Sequence, residues 1–269
     1  MPIINLSSCR KGAVIAMPPS SLPQLFLNSL ERPARALVVG ASGGIGSAVA
    51  DLLARGGFET VHALSRSGAY GNSASVEVGR IDVENEVSIA AAAEQLLKGA
   101  PLRFILVATG LLHDASLQPE KTYRALDPEH LARSFRINAI GPALVAKHIL
   151  PLLPKAGKSI FAVLSARVGS IEDNRLGGWY GYRASKAALN QLMRTLAIEL
   201  HRQRPEAVCV ALHPGTTDTG LSRPFRSSIG MNKVFSPAYS AQRLLTVMDD
   251  LAVAQSGQFF AWDRQPIPF

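Results

Sequence analysis

Tyr182 and Lys186, in the run Tyr182-Arg183-Ala184-Ser185-Lys186, stand four residues apart, which on a helix puts both side chains on one face about one turn apart. A tyrosine can give a proton to a carbonyl oxygen as general acid only if its pKa, near 10 when unperturbed, is brought down, and a neighbouring lysine ammonium does this electrostatically. Alone, such a pair is common on surface helices. A second cluster far upstream gives it weight: Gly40-Ala41-Ser42-Gly43-Gly44-Ile45-Gly46 follows the apolar run Ala36-Leu37-Val38-Val39 and leads into Ser47-Ala48-Val49-Ala50-Asp51-Leu52-Leu53. Glycines between a buried strand and a helix let the chain turn sharply and let backbone N–H groups approach a pyrophosphate. The helix adds the positive end of its dipole.

The elements that must position these groups can be read from the apolar pattern. Besides residues 36–39, continuous apolar runs occur at Phe104-Ile105-Leu106-Val107, Ile160-Phe161-Ala162-Val163-Leu164 and Val208-Cys209-Val210-Ala211-Leu212. Runs without polar alternation are strands covered on both faces, as in a parallel sheet. Helical spacing is expected over 44–56, 84–98, 127–153, 180–201 and 237–253; near residue 190 the apolar set is Leu189, Leu192, Met193, Leu196 and Leu200. This alternation predicts a doubly wound α/β fold of the Rossmann type, a seven-stranded parallel sheet with helices on both faces in a single domain. Residues 1–33 read as a poorly ordered N-terminal arm and 34–269 as the domain.

Composition narrows the partners. Cys9 and Cys209 have no CxxC or Cys/His spacing, so neither a zinc site nor a disulfide framework is indicated, and a reducing compartment is the default expectation. The uncharged stretch 12–30 is interrupted by Pro18, Pro19 and Pro23, which argues against a membrane span. The formal net charge of +8 asks for an anionic partner. Without a basic-aromatic platform or recognition motif, nucleic acid is not the expected one. Between Asp218 and Asp249 no acid occurs, while Arg223, Arg226, Lys233 and Arg243 all do.

The Gly-x-x-x-Gly-Ile-Gly loop combined with Tyr-x-x-x-Lys resembles the short-chain dehydrogenase/reductase family over roughly Ala34 to Phe269. Val168-Gly169-Ser170-Ile171, the stretch from Gly177 to Asn190 and Phe260-Ala261-Trp262-Asp263 look like its C-factor and sniffer-like carbonyl reductase subgroup. The resemblance implies a nicotinamide dinucleotide held by Gly40, Ser42, Gly44, Ile45 and Gly46, with Tyr182 and Lys186 catalytic and Lys186 also on the nicotinamide ribose. Ser65-Arg66 ends the second strand where an acid would select NAD; a hydroxyl and an arginine there suit a 2′-phosphate, so NADP(H) is preferred over NAD(H). Asp82-Val83 looks like the adenine contact, and Asp82 could equally cap the following helix. Ala108-Thr109-Gly110 stands where the family has Asn-Ala-Gly and would cover the adenosine side. In Pro214-Gly215-Thr216-Thr217-Asp218-Thr219, a backbone group near Thr217 would meet the carboxamide and Thr219 the pyrophosphate.

Asn138, in the family's Asn-x-x-Gly, would hold a water linking Lys186 to solvent. The carbonyl-polarising serine is where the sequence departs from the family, because Ser165-Ala166-Arg167-Val168-Gly169-Ser170 has alanine in the second slot. Ser165 is the expected substitute and Ser170 the other candidate. The implied activity is reduction of a ketone or aldehyde, a small-molecule substrate that an arginine-rich lid could favour if anionic. The alternative is a cofactor-binding, C-factor-like signalling protein with little turnover. Helices near 136–153 and 180–201 often form dimer interfaces in the family, so a homo-oligomer is also in view.

Overall fold

The computed structural model describes residues 26–70, 76–228 and 234–269. Cys9, Lys233 and most of the expected arm lie outside the described residues. Seven strands form one sheet: β1 (Arg35–Val39), β2 (Thr60–Ser65), β3 (Val76–Arg80), β4 (Leu102–Val107), β5 (Ser159–Leu164), β6 (Ala207–His213) and β7 (Phe259–Ala261). Their order is β3-β2-β1-β4-β5-β6-β7, and every pairing is parallel. The doubly wound expectation therefore holds. Pairing Val39 with Leu64 and with Val107, and Leu164 with Leu212, brings the carboxyl ends of the central strands level. The order reverses between β1 and β4, and in such sheets the crevice outside those strand ends is the binding site.

Among the described residues six α-helices cover the sheet: α1 (Gly44–Arg55), α2 (Glu86–Gln95), α3 (Pro128–Phe135), α4 (Gly141–Ile149), α5 (Tyr180–Gln203) and α6 (Pro237–Asp250). Strand residues alternate between two cores. Leu37, Val39, Val163 and Ala211 pack with Leu189 and Met193 of α5, whereas Ala36, Val38, Ala162 and Val210 pack with Val49 of α1 and Leu244 of α6. The single helix expected over 127–153 is divided. Asp127 caps α3 by accepting from the His130 N–H (2.9 Å), and a π turn over Arg136–Ile140 separates α3 from α4. Asn138 sits in that turn, a kind of irregularity often found at functional sites.

The packed unit begins before Ala34, where the domain was expected to start. Phe26, Leu27 and Leu30 are buried in the core beneath α1 and α6. The N–H groups of Asn28 and Ser29 donate to the Asp249 carboxylate at 3.0 and 2.8 Å, and Glu31 pairs with Arg103. Apolar residues so close to the first strand could add to the core, and they do. Leu27→Ala is expected to destabilise the fold by about 3 kcal/mol through lost burial and a cavity. Thermal unfolding checks this, and an unchanged midpoint would show that the segment contributes nothing.

Candidate active site

The glycine loop folds as close backbone packing requires. Gly40 has φ +88°, and a Cβ on it would lie 3.0 Å from the main chain of Ala108 and Thr109 at the end of β4. A Cβ on Gly46 would lie 2.3 Å from the Gly40 carbonyl oxygen. The loop can therefore wrap only if both residues lack side chains. α1 then starts at Gly44 with no side-chain cap, so its first N–H groups face the crevice as an anion site. Two adjoining cavities, of about 440 and 390 Å³, share Ser42, Ala108, Thr109, Gly110 and Leu221 as walls.

The first cavity runs over Gly40 to Ser65, Arg66 and Val83; the second contains Gly44, Ile45, Gly46, Tyr182, Lys186, Pro214 and Thr219. Thr109 lines both cavities, and its Oγ1 is buried without a hydrogen-bond partner. A dinucleotide fits this arrangement: a phosphate cradle of backbone amides in the middle, a basic end at Arg66, and a tyrosine-lysine pair at the other end.

Tyr182 and Lys186 lie one turn apart on α5 and both are buried. Lys186 Nζ stands 5.9 Å from the Tyr182 ring centre and donates to the Leu164 carbonyl at 2.8 Å. Burial pushes Lys186 down to about 7 and pushes the Tyr182 hydroxyl above its ordinary value. The expectation that the ammonium lowers Tyr182 is thus not met, because burial disfavours the charged phenolate. Tyr182 consequently stays protonated at neutral pH, the form a general acid needs.

Asn138 binds the loop after β4. Its Oδ1 accepts from Leu111 N–H (2.7 Å), and its Nδ2 donates to the Leu111 carbonyl (2.8 Å) and to Ser185 Oγ (3.0 Å). Ser185 in turn donates to the Tyr182 carbonyl at 2.9 Å, which ties the π turn to the catalytic helix. Gly110 lies beside both groups: a Cβ there would stand 3.6 Å from Asn138 Oδ1 and 3.7 Å from Lys186 Nζ, ordinary contact distances. The side-chain amide of Asn138 is committed to Leu111 and Ser185, leaving any water-holding role to its main chain.

Both candidate serines are already engaged in hydrogen bonds within the protein. Ser165 continues the β5 ladder, with its N–H on the Leu212 carbonyl, and its hydroxyl donates to Asn190 Oδ1 at 2.7 Å inside the protein. Asn190 Nδ2 faces the Gly169 carbonyl at 3.4 Å, which sets the orientation of the amide and leaves Ser165 as the donor. To serve as carbonyl polariser, Ser165 would have to give up its bond to Asn190. Ser170 is buried and accepts from the Asp173 N–H at 3.1 Å.

Other expected contacts fall outside the cavity walls. Asp82 Oδ1 accepts from Glu84 N–H (3.0 Å), while Asn85 rather than Asp82 caps α2 by accepting from Val87 and Ser88. Gly215, at φ +75°, packs against Phe235 and Trp262. Thr217 is buried with its hydroxyl 2.7 Å from Ser240 Oγ, so only its main chain could reach a carboxamide. Of the lid cations, Arg223 already pairs with Asp218 at 3.6 Å, and the side chain of Arg226 lies outside what is described.

The sequence reading missed Ser67, His113 and Leu221 as cavity walls, and Trp179 beside Tyr182. Ser67 could have been found from its place after Ser65-Arg66. His113 and Trp179 carry no periodic signal because they lie on loops.

A parallel sheet with this strand order, a glycine cradle at its first β-α junction and a buried tyrosine-lysine pair at the crevice defines a Rossmann-type dinucleotide-binding protein. Residues 34–230 match the family model for the short chain dehydrogenase. The chain belongs to the short-chain dehydrogenase/reductase family, whose cofactor is a nicotinamide dinucleotide. Among curated relatives, C-signal of Myxococcus xanthus is 36% identical over 145 residues, 54% of this chain and 81% of that protein. A 1-hydroxy-2-glutathionyl-2-methyl-3-butene dehydrogenase of Rhodococcus sp. (strain AD45) is 31% identical over 83% of this chain and 94% of that protein. The crystal structure of NADPH-bound carbonyl reductase from chicken fatty liver superposes with a TM-score of 0.75 at 26% identity, covering 93% of this chain and all of that one. Among the described residues no helix is long and apolar enough to cross a membrane.

Proposed function

We propose that the protein is an NADP(H)-dependent carbonyl reductase acting on a small-molecule ketone or aldehyde, with Tyr182 as general acid. The observation that carries this reading is the convergence of Tyr182, Lys186 and the Gly44-Ile45-Gly46 amides on one cavity. The likeness to an NADPH-bound carbonyl reductase supports it. When bound, the cofactor supplies hydride from its nicotinamide ring. Tyr182 gives its hydroxyl proton to the oxygen as negative charge develops there, and the charged Lys186 stabilises the phenolate left behind. The amides at the start of α1 hold the pyrophosphate, and Thr109 and Gly110 cover the adenosine side. A cytoplasmic location and a homo-oligomer belong to the same reading. Oxidation of NADPH, followed over a panel of quinones, diketones and aldehydes, tests it; no turnover with any of them would sink it.

The Ser65-Arg66 end supports the preference for NADP(H). Arg66 is largely exposed at the rim of the first cavity, with Glu84 3.9 Å away. Arg66→Ala is expected to weaken NADPH binding about tenfold, the worth of a charge-assisted contact, and to leave NADH binding unchanged. Titration of both cofactors decides this, and equal losses would refute the assignment.

A second reading is favoured by one observation: Ser165 is spent on Asn190, Ser170 is held near Asp173, and Ala166 has no hydroxyl. A protein that binds the dinucleotide and turns over little, as a signalling relative of C-signal, would show tight NADPH binding without oxidation across the same panel.

A further inference from the structure

We propose that Trp179 is the specificity-determining wall of the carbonyl site, favouring a flat aromatic group on the substrate, and that Glu120 is the positioning residue that holds this wall beside Tyr182. The proposal rests on the carbonyl-reductase reading above. Trp179 immediately precedes α5 and has φ +53° and ψ +44°, a left-handed conformation that costs a bulky residue energy and persists only where the surroundings enforce it. The Trp179 N–H donates to the Glu120 carbonyl at 2.5 Å. The Glu120 carboxylate, itself buried, accepts from the Gly181 N–H at 3.1 Å.

α5 has no side-chain cap of its own at Trp179. Glu120 supplies one from a distant loop and places negative charge at the positive end of the helix. The approach is so close that a Cβ on Gly181 would lie 2.9 Å from Glu120 Oε1 and 3.2 Å from Ser134 Oγ. Tyr182 is the next residue along. The same anchor therefore sets both the start of the catalytic helix and the turn that presents the indole.

The enforced turn puts the indole against the tyrosine. Trp179 meets the Tyr182 ring edge-on, with centres 6.3 Å apart, and meets Phe225 at 5.1 Å; Phe225 meets His113 at 5.4 Å. His113 lines the crevice and lies 3.2 Å from the Gly220 carbonyl through Nε2. A carbonyl carbon within reach of the Tyr182 hydroxyl whose substituent lies on the Trp179 side would carry it past these rings. Edge-to-face contacts with them reward a flat aromatic substituent over a puckered alkyl ring of the same carbon count. Trp179 is half-buried, so part of the residue remains accessible to such a group.

The test compares benzaldehyde with cyclohexanecarboxaldehyde, taking the ratio of their kcat/KM values in each variant relative to wild type so that intrinsic reactivity cancels. Trp179→Phe is expected to keep the ratio, and Trp179→Leu to lower it about fivefold, with NADPH affinity unchanged in both. Glu120→Ala is expected to lower kcat and the ratio together, and Glu120→Gln, which retains an acceptor for Gly181, to restore both. A ratio unmoved by Trp179→Leu, or Glu120→Ala behaving as Glu120→Gln does, overturns the proposal. If neither aldehyde is reduced by wild type, the carbonyl-reductase reading fails separately. Calorimetric titration of the NADP-loaded protein with benzyl alcohol against cyclohexylmethanol then decides the wall. A preference for the aromatic alcohol that is lost in Trp179→Leu supports the site, and equal binding overturns it.

Discussion

Tyr182→Phe is expected to lower the turnover number for carbonyl reduction by about a thousandfold, roughly 4 kcal/mol of transition-state stabilisation, while NADPH affinity stays within about twofold. The phenyl ring conserves the ring contact with Trp179 and the place of the ring beside Lys186 Nζ, so only the acid is removed. Burial keeps the Tyr182 hydroxyl protonated well past neutrality, which means the acid form is never limiting between about pH 6 and pH 9. The pH dependence should instead follow Lys186, which burial brings down to about 7.

The sign follows from the charged form being the useful one. Below about 7 the lysine is an ammonium and stabilises the phenolate; as pH rises through that value the charge is lost, and kcat/KM for NADPH, which reports the free enzyme, should fall. A profile that rises through the same range would contradict the role given to Lys186. Stopped-flow oxidation of NADPH in wild type and Tyr182→Phe measures both effects. Full activity in the phenylalanine variant would remove Tyr182 from the chemistry altogether.

What could be read in advance depended on how local the cause was. Buried strands declare themselves as apolar runs, so β1, β4, β5 and β6 and their parallel pairing were legible, as was the glycine loop between β1 and α1. The π turn at Arg136–Ile140 was not, because Phe135-Arg136-Ile137-Asn138-Ala139 keeps the spacing of an ordinary helix, while the bonds that Asn138 makes from that turn reach the distant Leu111 and Ser185. Strand alternation does show that Ser165 and Ala166 face opposite ways. That Ser165 would meet Asn190 depends on which turn of α5 lies over β5, a matter of tertiary packing. The domain boundary slipped for a similar reason: Phe26, Leu27 and Leu30 belong to no periodic element, and only the groove beneath α1 and α6 makes them core.

Gly46→Ala should show most clearly that the glycine cradle, and not only the catalytic pair, makes the site. The added methyl would sit 2.3 Å from the Gly40 carbonyl oxygen, 2.9 Å from the Gly40 carbonyl carbon and 3.2 Å from Ala41 Cα. All three are main-chain atoms, so no rotamer can relieve the overlap. The loop must open. Opening it pulls Gly40 from its contact with Ala108 and Thr109, and thus separates β1 from β4 at the point where the crevice forms. The expected outcome is about 1–3 kcal/mol of lost stability from the forced shift. NADPH binding should weaken by about a hundredfold or more, because the α1 amides no longer converge on one phosphate. Calorimetric unfolding gives the first quantity and cofactor titration the second. Gly177→Ala serves as the control: it too is a left-handed glycine, at φ +63°, but a Cβ there meets nothing within 4 Å. Its cost should be conformational only, of about 1 kcal/mol, with NADPH affinity intact. If the two variants bound NADPH equally well, the close approach at Gly46 would have no part in holding the cofactor.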